Sequence, residues 1–452
     1  MSRKLFGTDG IRGLANQAPV DPLTALKIGQ AIASIFKGKG GMRHRIVIGK
    51  DTRRSNYMLE NALSAGIASM GAEAVLLGPL PTPGIAYITK AMRADAGVVL
   101  SASHNPFYDN GIKFFDHQGY KLPDEVEEQI ENLLENQTHD DPPTHESIGK
   151  AFRVEDALGR YIEHVKRAFS PNKTLEGLKL VVDCGHGAAY KVGPMAFEEL
   201  GAQVFPLHIS PNGLNINDHC GALYPQKMAA EVKRLGAHAG LAFDGDADRL
   251  VMSDEKGQII HGDTLIALAA LPLLEEGKLK DKTIVGTVMS NLALEKFLES
   301  QGGKLLRTPV GDRYVLEAMR RGGYSLGGEQ SGHLIFGKFS TTGDGILAAL
   351  RILDSLIRQE KDLSELTQVL EPCPQVLENL RVPEKKPLES LVNLQKLKNK
   401  LEAKTQGSAR FLIRYSGTEN LLRIMIEGED LKQVQEMALA LKEEAKKELG
   451  EV

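Results

Sequence analysis

Ala96-Gly-Val-Val-Leu-Ser-Ala-Ser-His-Asn-Pro106 passes from small and apolar residues straight into a polar, turn-forming loop. A short β-branched run that stops so abruptly reads as the end of a buried strand. Upstream lie Arg45-Ile-Val-Ile48, a helical pattern near 59–70, Ala74-Val-Leu-Leu77 and a second helical pattern near 83–93. The same alternation returns from Leu178 to Phe243 and again from Asp263 to Gly327. Strands alternating with helices predict α/β layers with mixed, largely parallel sheets. Each round closes on a polar loop: Ser101-Ala-Ser-His-Asn-Pro106, Asp244-Gly-Asp-Ala-Asp-Arg249 and Gly328-Glu-Gln-Ser-Gly-His333. Because ligands bind beyond the carboxyl ends of such strands, three similar units should share one central cleft.

Breaker-rich segments at Gln137-Thr-His-Asp-Asp-Pro-Pro-Thr-His145 and Glu371-Pro-Cys-Pro374 divide the chain. The expected units are residues 1–150, 151–255 and 256–370, all α/β, and a smaller α+β unit at 371–452. In the last, Val434, Met437, Ala438 and Leu441 share one helix face and should enter a core.

The chain has 452 residues, 42% hydrophobic and 25% charged, a balance that excludes wholesale disorder. A formal charge of −4 argues against a nucleic-acid surface. No apolar run is long enough for a spanning helix and the amino terminus lacks a signal-peptide core, so no membrane role and a cytoplasmic location are expected. Three dispersed cysteines, Cys184, Cys220 and Cys373, suggest ordinary thiols.

Asp244, Asp246 and Asp248 put three anions within five residues, which repel one another unless a cation holds them. Oxygen donors suit Mg²⁺. Two other readings stand beside it: a solvated acidic turn, and a calcium loop completed by Glu255, although Arg249 occupies the place where such a loop needs glycine. Ser103 and His104 invite a nucleophile–base reading, but neighbouring side chains usually diverge, and a serine can instead carry a phosphoryl group. Asp183-Cys-Gly-His-Gly187 reads as a tight strand-to-helix turn. Arg414-Tyr-Ser-Gly-Thr-Glu-Asn420 combines a cation, hydroxyls and backbone N–H groups suited to phosphate, or else forms a plain hairpin loop.

Together with Phe6-Gly-Thr-Asp-Gly-Ile-Arg-Gly13 and Asp109-Asn-Gly-Ile-Lys113, these four loops resemble the α-D-phosphohexomutase superfamily, in its order and over nearly the whole chain. The resemblance implies four domains around one cleft, with Ser103 carrying a phosphoryl group. Mg²⁺ would sit on Ser103, Asp244, Asp246 and Asp248. Glu329 and Ser331 would hold sugar hydroxyls, and Arg249, Arg414, Ser416, Gly417 and Thr418 would bind phosphate and substrate. Arg12, Lys113 and His333 match positions tied to acid–base or phosphate roles, and Lys113 would need a depressed pKa to act as a base. His104 would support the phosphoserine. Gln330 and Ala247 resemble the branch that interconverts glucosamine 6-phosphate and glucosamine 1-phosphate through a 1,6-bisphosphate, supplying cell-wall precursor synthesis. The alternative is a glucose or mannose phosphate mutase. Asn420 in place of a common proline, and Gly185-His186 in place of Ala-Asn, depart from the pattern. A sugar phosphate is the implied partner, and a homodimer the implied assembly.

Overall fold

The computed structural model describes residues 5–7, 9–36, 44–136, 142–416 and 419–450. The first sheet contains β1 (Ile11–Leu14), β2 (Arg45–Lys50), β3 (Glu73–Pro79), β4 (Ala96–Leu100), β5 (Asp109–Asp116) and β6 (Ala151–Arg153) in the order β1-β5-β4-β2-β3-β6. β4, β2, β3 and β6 run parallel, whereas β5 and β1 are antiparallel to their neighbours. β4 is buried along its whole length, which accounts for its unbroken run of small and apolar residues. β6 carries this sheet past the boundary read at residue 150, because its Cα partners on β3 are Ala74 to Leu76. Residues 137–141 of the first breaker-rich segment lie outside the described residues.

The second sheet holds β7 (Lys179–Asp183), β8 (Gln203–Leu207), β9 (Ala239–Phe243) and β10 (Leu250–Ser253), ordered β10-β9-β7-β8. The third holds β11 (Thr283–Thr287), β12 (Lys304–Thr308), β13 (Leu326–Gly328) and β14 (Leu334–Phe336), ordered β12-β11-β13-β14. All three α/β units therefore repeat one strand order. In each, the third main strand of the unit (β4, β9 or β13) turns back into an antiparallel neighbour (β5, β10 or β14), and that turn is one of the three polar loops.

The fourth unit is an antiparallel sheet of β15 (Gln375–Arg381), β16 (Ala409–Tyr415) and β17 (Leu421–Gly428), ordered β15-β17-β16. The helix Leu431–Leu449 packs on it and buries Val434, Met437, Ala438 and Leu441, as their spacing predicts. One hydrophobic core runs continuously through the first three units, including Val99, Leu241 and Leu326, and the fourth unit has its own. Polar contacts fasten the fourth unit to the third. Glu427 accepts the Leu292 N–H at 3.0 Å, and Arg410 donates to the carbonyls of Val288 at 2.7 Å and Ser290 at 3.1 Å. No helix among the described residues is long and apolar enough to cross a membrane.

Candidate active site

The serine loop leaves the carboxyl end of β4 and is bound from every side. Ser101 Oγ accepts the Ser103 N–H at 2.9 Å and donates to Asp51 at 2.6 Å. Ser103 adopts φ 50°, the left-handed region that a residue with a Cβ seldom enters. Its Oγ donates to Asp244 Oδ2 at 2.6 Å, across 141 residues of sequence. His104 Nδ1 is 3.4 Å from Ser103 Oγ, longer than the hydrogen bond of a hydrolase dyad.

The aspartate loop follows β9, whose five residues are all buried. One carboxylate oxygen from each of Asp244, Asp246 and Asp248 lies within 4.8 Å of the others. Asp246 Oδ1 and Asp248 Oδ1 are buried without a hydrogen-bond partner. Buried, orphaned carboxylate oxygens facing a common point fit a hard cation. Burial, followed by repulsion from Asp248 and Asp246, raises the Asp244 carboxyl well above its ordinary range. The loop is not a calcium loop, since a strand precedes it and Glu255 binds the Ser364 N–H at 3.1 Å instead. Nor is it solvated, because all three aspartates are buried.

Lys113, on β5, reaches Asp246 at 2.9 Å and Asp9 at 3.1 Å. Burial alone would lower its pKa, but Asp246, Asp9 and Asp248 outweigh burial and raise it. The depressed pKa that a base at Lys113 would need is therefore not what its surroundings produce, as its close neighbours are carboxylates. His333 is buried between Asp248 at 3.6 Å and Asp312 at 3.7 Å. Burial opposes its charging, whereas Asp248, Asp312 and Glu329 raise its pKa to about 9. The Gly343 N–H donates to His333 Nε2 at 3.0 Å, which suits the neutral ring with its proton on Nδ1, so this contact opposes the charging that the flanking carboxylates favour.

A cavity of about 430 Å³ opens where these loops meet, lined by Ser103, His104, Arg12, Asp248, Arg249, Glu329 and His333 together with Asp9 and Asp312. Arg12 pairs with Asp9, and the Arg249 N–H donates to Asp244 at 3.2 Å. Glu329 accepts the Gly311 N–H at 3.1 Å. Ser331 is exposed at the tip of its loop. The lining comes from the first three units, so Arg414 and Ser416 stand apart from it on the fourth. Gly417 and Thr418 lie outside the described residues.

Several contributors carry no motif of their own. Lys121 bridges Asp9 at 2.6 Å and Asp312 at 2.5 Å, tying the first unit to the third. Thr82 donates to Asp246 at 2.7 Å. Gly187, from the Asp183 turn, leaves no room for a side chain against Gly245, since an added Cβ would fall 2.4 Å from the Gly245 carbonyl oxygen. Arg423 is the cross-strand partner of Arg414, and two facing arginines favour an anion between them. Their only sequence signal was position, just beyond strand ends or opposite a named residue.

Family models for phosphoglucomutase/phosphomannomutase match four successive stretches: α/β/α domain I at residues 3–141, domain II at 159–257, domain III at 261–373 and the C-terminal domain at 377–444. Phosphoglucosamine mutase of Anaeromyxobacter dehalogenans is 53% identical over 459 residues, covering 100% of both chains. That of Pelobacter propionicus is 54% identical over 450 residues, covering 99% of each. The chain belongs to the phosphoglucomutase/phosphomannomutase family. A Burkholderia thailandensis member of known structure superposes with a TM-score of 0.81 at 25% identity, covering 98% of this chain and 97% of that one. Aspergillus fumigatus N-acetylphosphoglucosamine mutase, solved with GlcNAc-6P and magnesium, shares the fold with a TM-score of 0.65 at 16% identity, over 99% and 96% of the two chains. As a phosphohexomutase, the chain is an enzyme of the isomerase class.

Proposed function

We propose that the enzyme interconverts glucosamine 6-phosphate and glucosamine 1-phosphate through phosphorylated Ser103. The observation that carries this reading is the 2.6 Å contact of Ser103 Oγ with Asp244 beside a cavity lined by Arg12, Arg249 and Glu329, in a chain more than half identical to named phosphoglucosamine mutases. The C1 hydroxyl of glucosamine 6-phosphate attacks the phosphorus on Ser103. The O–P bond to Ser103 breaks as the new bond forms, leaving a 1,6-bisphosphate. After the sugar turns round, Ser103 takes back the 6-phosphoryl group and glucosamine 1-phosphate leaves.

Mg²⁺, held by Asp244, Asp246, Asp248 and a phosphate oxygen on Ser103, would neutralise charge on the transferring group. Arg12, Arg249 and the ammonium of Lys113 supply further positive charge. His104, read from the sequence as a support for the phosphoserine, is assigned instead the proton of the attacking hydroxyl, since it lines the cavity with a pKa lowered by burial and by Arg249 while Lys113 is held charged by carboxylates. His333 is assigned the orientation of Asp248. Glu329 and Ser331 would hold sugar hydroxyls, while Arg414, Ser416, Gly417 and Thr418 would hold the phosphate that does not react. Free cysteines and the lack of a membrane-crossing helix among the described residues are consistent with the cytoplasm, to which we assign the enzyme. The implied homodimer is tested by sedimentation equilibrium.

Comparing kcat/KM for glucosamine 6-phosphate and glucose 6-phosphate tests the substrate. Preference for the glucose ester overturns the assignment in favour of a phosphoglucomutase. Ser103→Ala is expected to lose turnover and the phosphopeptide together. Replacing His104 by Gln should lower kcat by roughly 10²–10⁴-fold while Ser103 still carries phosphate.

A further inference from the structure

Beneath the serine loop lies a fully buried arginine that belongs to none of the four loop motifs. Arg53 follows β2, the neighbour of β4 at the place where strand order reverses. Its Nη2 donates to the carbonyls of Ser103 at 3.0 Å and Asn105 at 2.8 Å, and its Nη1 to Asp109 at 3.1 Å and to Pro106. Nε donates to Asp51 at 2.9 Å. From the second unit, Asn217 Nδ2 donates to two of the same carbonyls, Ser103 at 2.9 Å and Asn105 at 3.2 Å.

A buried guanidinium is costly unless its N–H groups are paired. Here most of them are paired with the backbone of a single loop. That loop holds Ser103 at φ 50° with its Oγ on Asp244. Neither Arg53 nor Asn217 lines the cavity around Ser103.

We propose that Arg53 and Asn217 are positioning residues for phosphoryl transfer, clamping the Ser103 and Asn105 carbonyls so that Oγ stays aimed at the aspartate loop. This rests on Ser103 as the phosphoryl carrier. Transfer is steeply sensitive to placement, with a 1 Å error costing about 10²-fold, whereas the groups assigned to sugar and phosphate lie on other loops. Loss of the clamp should therefore appear in kcat rather than in KM.

Asn217→Gly is the decisive variant. Asn217 sits at φ 59°, so glycine removes the amide without backbone strain. With glucosamine 6-phosphate as substrate, well below the thermal transition, kcat is expected to fall about 10–100-fold with KM within about two-fold of wild type. Arg53→Lys should fall at least as far. The double variant should lose less than the product of the two, since both residues act on the same carbonyls. A kcat equal to wild type in Asn217→Gly, or a loss confined to KM, overturns the proposal, and this variant decides even if Arg53→Lys does not fold. Ser103→Ala is measured alongside. If it is inactive while Asn217→Gly is unimpaired, the clamp alone is wrong; if it keeps full turnover, the carrier reading falls and takes the clamp with it.

Discussion

Gly245 shows how little slack the site has. A Cβ there would stand 2.5 Å from the Ser103 carbonyl oxygen and 2.8 Å from Asn217 Nδ2, one of them backbone. Gly245→Ala should displace the serine loop and lower kcat by 10²-fold or more, on the order of a 1 Å shift, which steady-state kinetics reads directly. Asp244 makes a second case. Its raised pKa means that the ionised form opposes folding at neutral pH in the absence of a cation. Asp244→Asn should therefore raise the metal-free melting temperature by roughly 1 °C for each kcal/mol relieved in a cooperative body of this size, abolish the rise that Mg²⁺ produces in the wild type, and lose turnover. Thermal scans with EDTA and with Mg²⁺ test all but the last. Asp246 is the poorer choice, although the sequence recommends it equally, since it also pairs with buried Lys113 and with Thr82. Residues of this kind separate what was legible from what was not. Ser103 and the aspartates announce themselves because their chemistry is concentrated in six-residue runs. Arg53 and Asn217 reach Ser103 from 50 and 114 residues away, a proximity created for Arg53 by the strand order of the first sheet and for Asn217 by the packing of the second unit on the first.

At the scale of elements, alternation and loop position were readable because strand and helix periods differ; the pairing of β6 was not, since three residues have no period. The helix Leu292–Ser300 shows a further element-level device. Its first N–H groups are received by two carboxylates, Asp263 from Asn291 at 2.7 Å and Glu427, of the fourth unit, from Leu292. Burial, opposed by the Asn291 N–H and aided by the nearby Glu427 charge, pushes Asp263 up to about 7. The folded pKa exceeds the unfolded value of about 3.9. The native state thus binds the proton more tightly, and this contribution is fully present below about pH 4 and lost as pH rises through about 7. Asp344, the cap of the helix Gly345–Gln359, is raised to about 6 by burial and acts in the same sense. The unfolding free energy of the wild type should fall by an amount on the order of a few kcal/mol between pH 5 and pH 8 relative to Asp263→Asn, in which one titration is gone. Parallel curves for the two proteins would refute the role of Asp263.

For the whole molecule, the division of the core matters more than the division of the chain. The first three units are joined by one apolar cluster, beside which each keeps a core of its own, and should melt as a single cooperative body, whereas the fourth, joined only by a polar seam, should open separately. Calorimetry is expected to resolve two transitions, and cutting the seam with Arg410→Ala should lower only the one belonging to the fourth unit. A single transition that moves as a whole would show that the seam couples the two cores. The strand order repeated in three sheets has a further consequence, for inheritance. Loops assigned to phosphoryl group, cation and sugar hang from separate copies of one frame, so each is carried by its own strands even though the loops touch one another. Exchanging the Leu326–Phe336 hairpin with that of a relative of different hexose preference should therefore carry the preference across while the serine loop goes on being phosphorylated, making substrate range the trait freest to diverge among descendants.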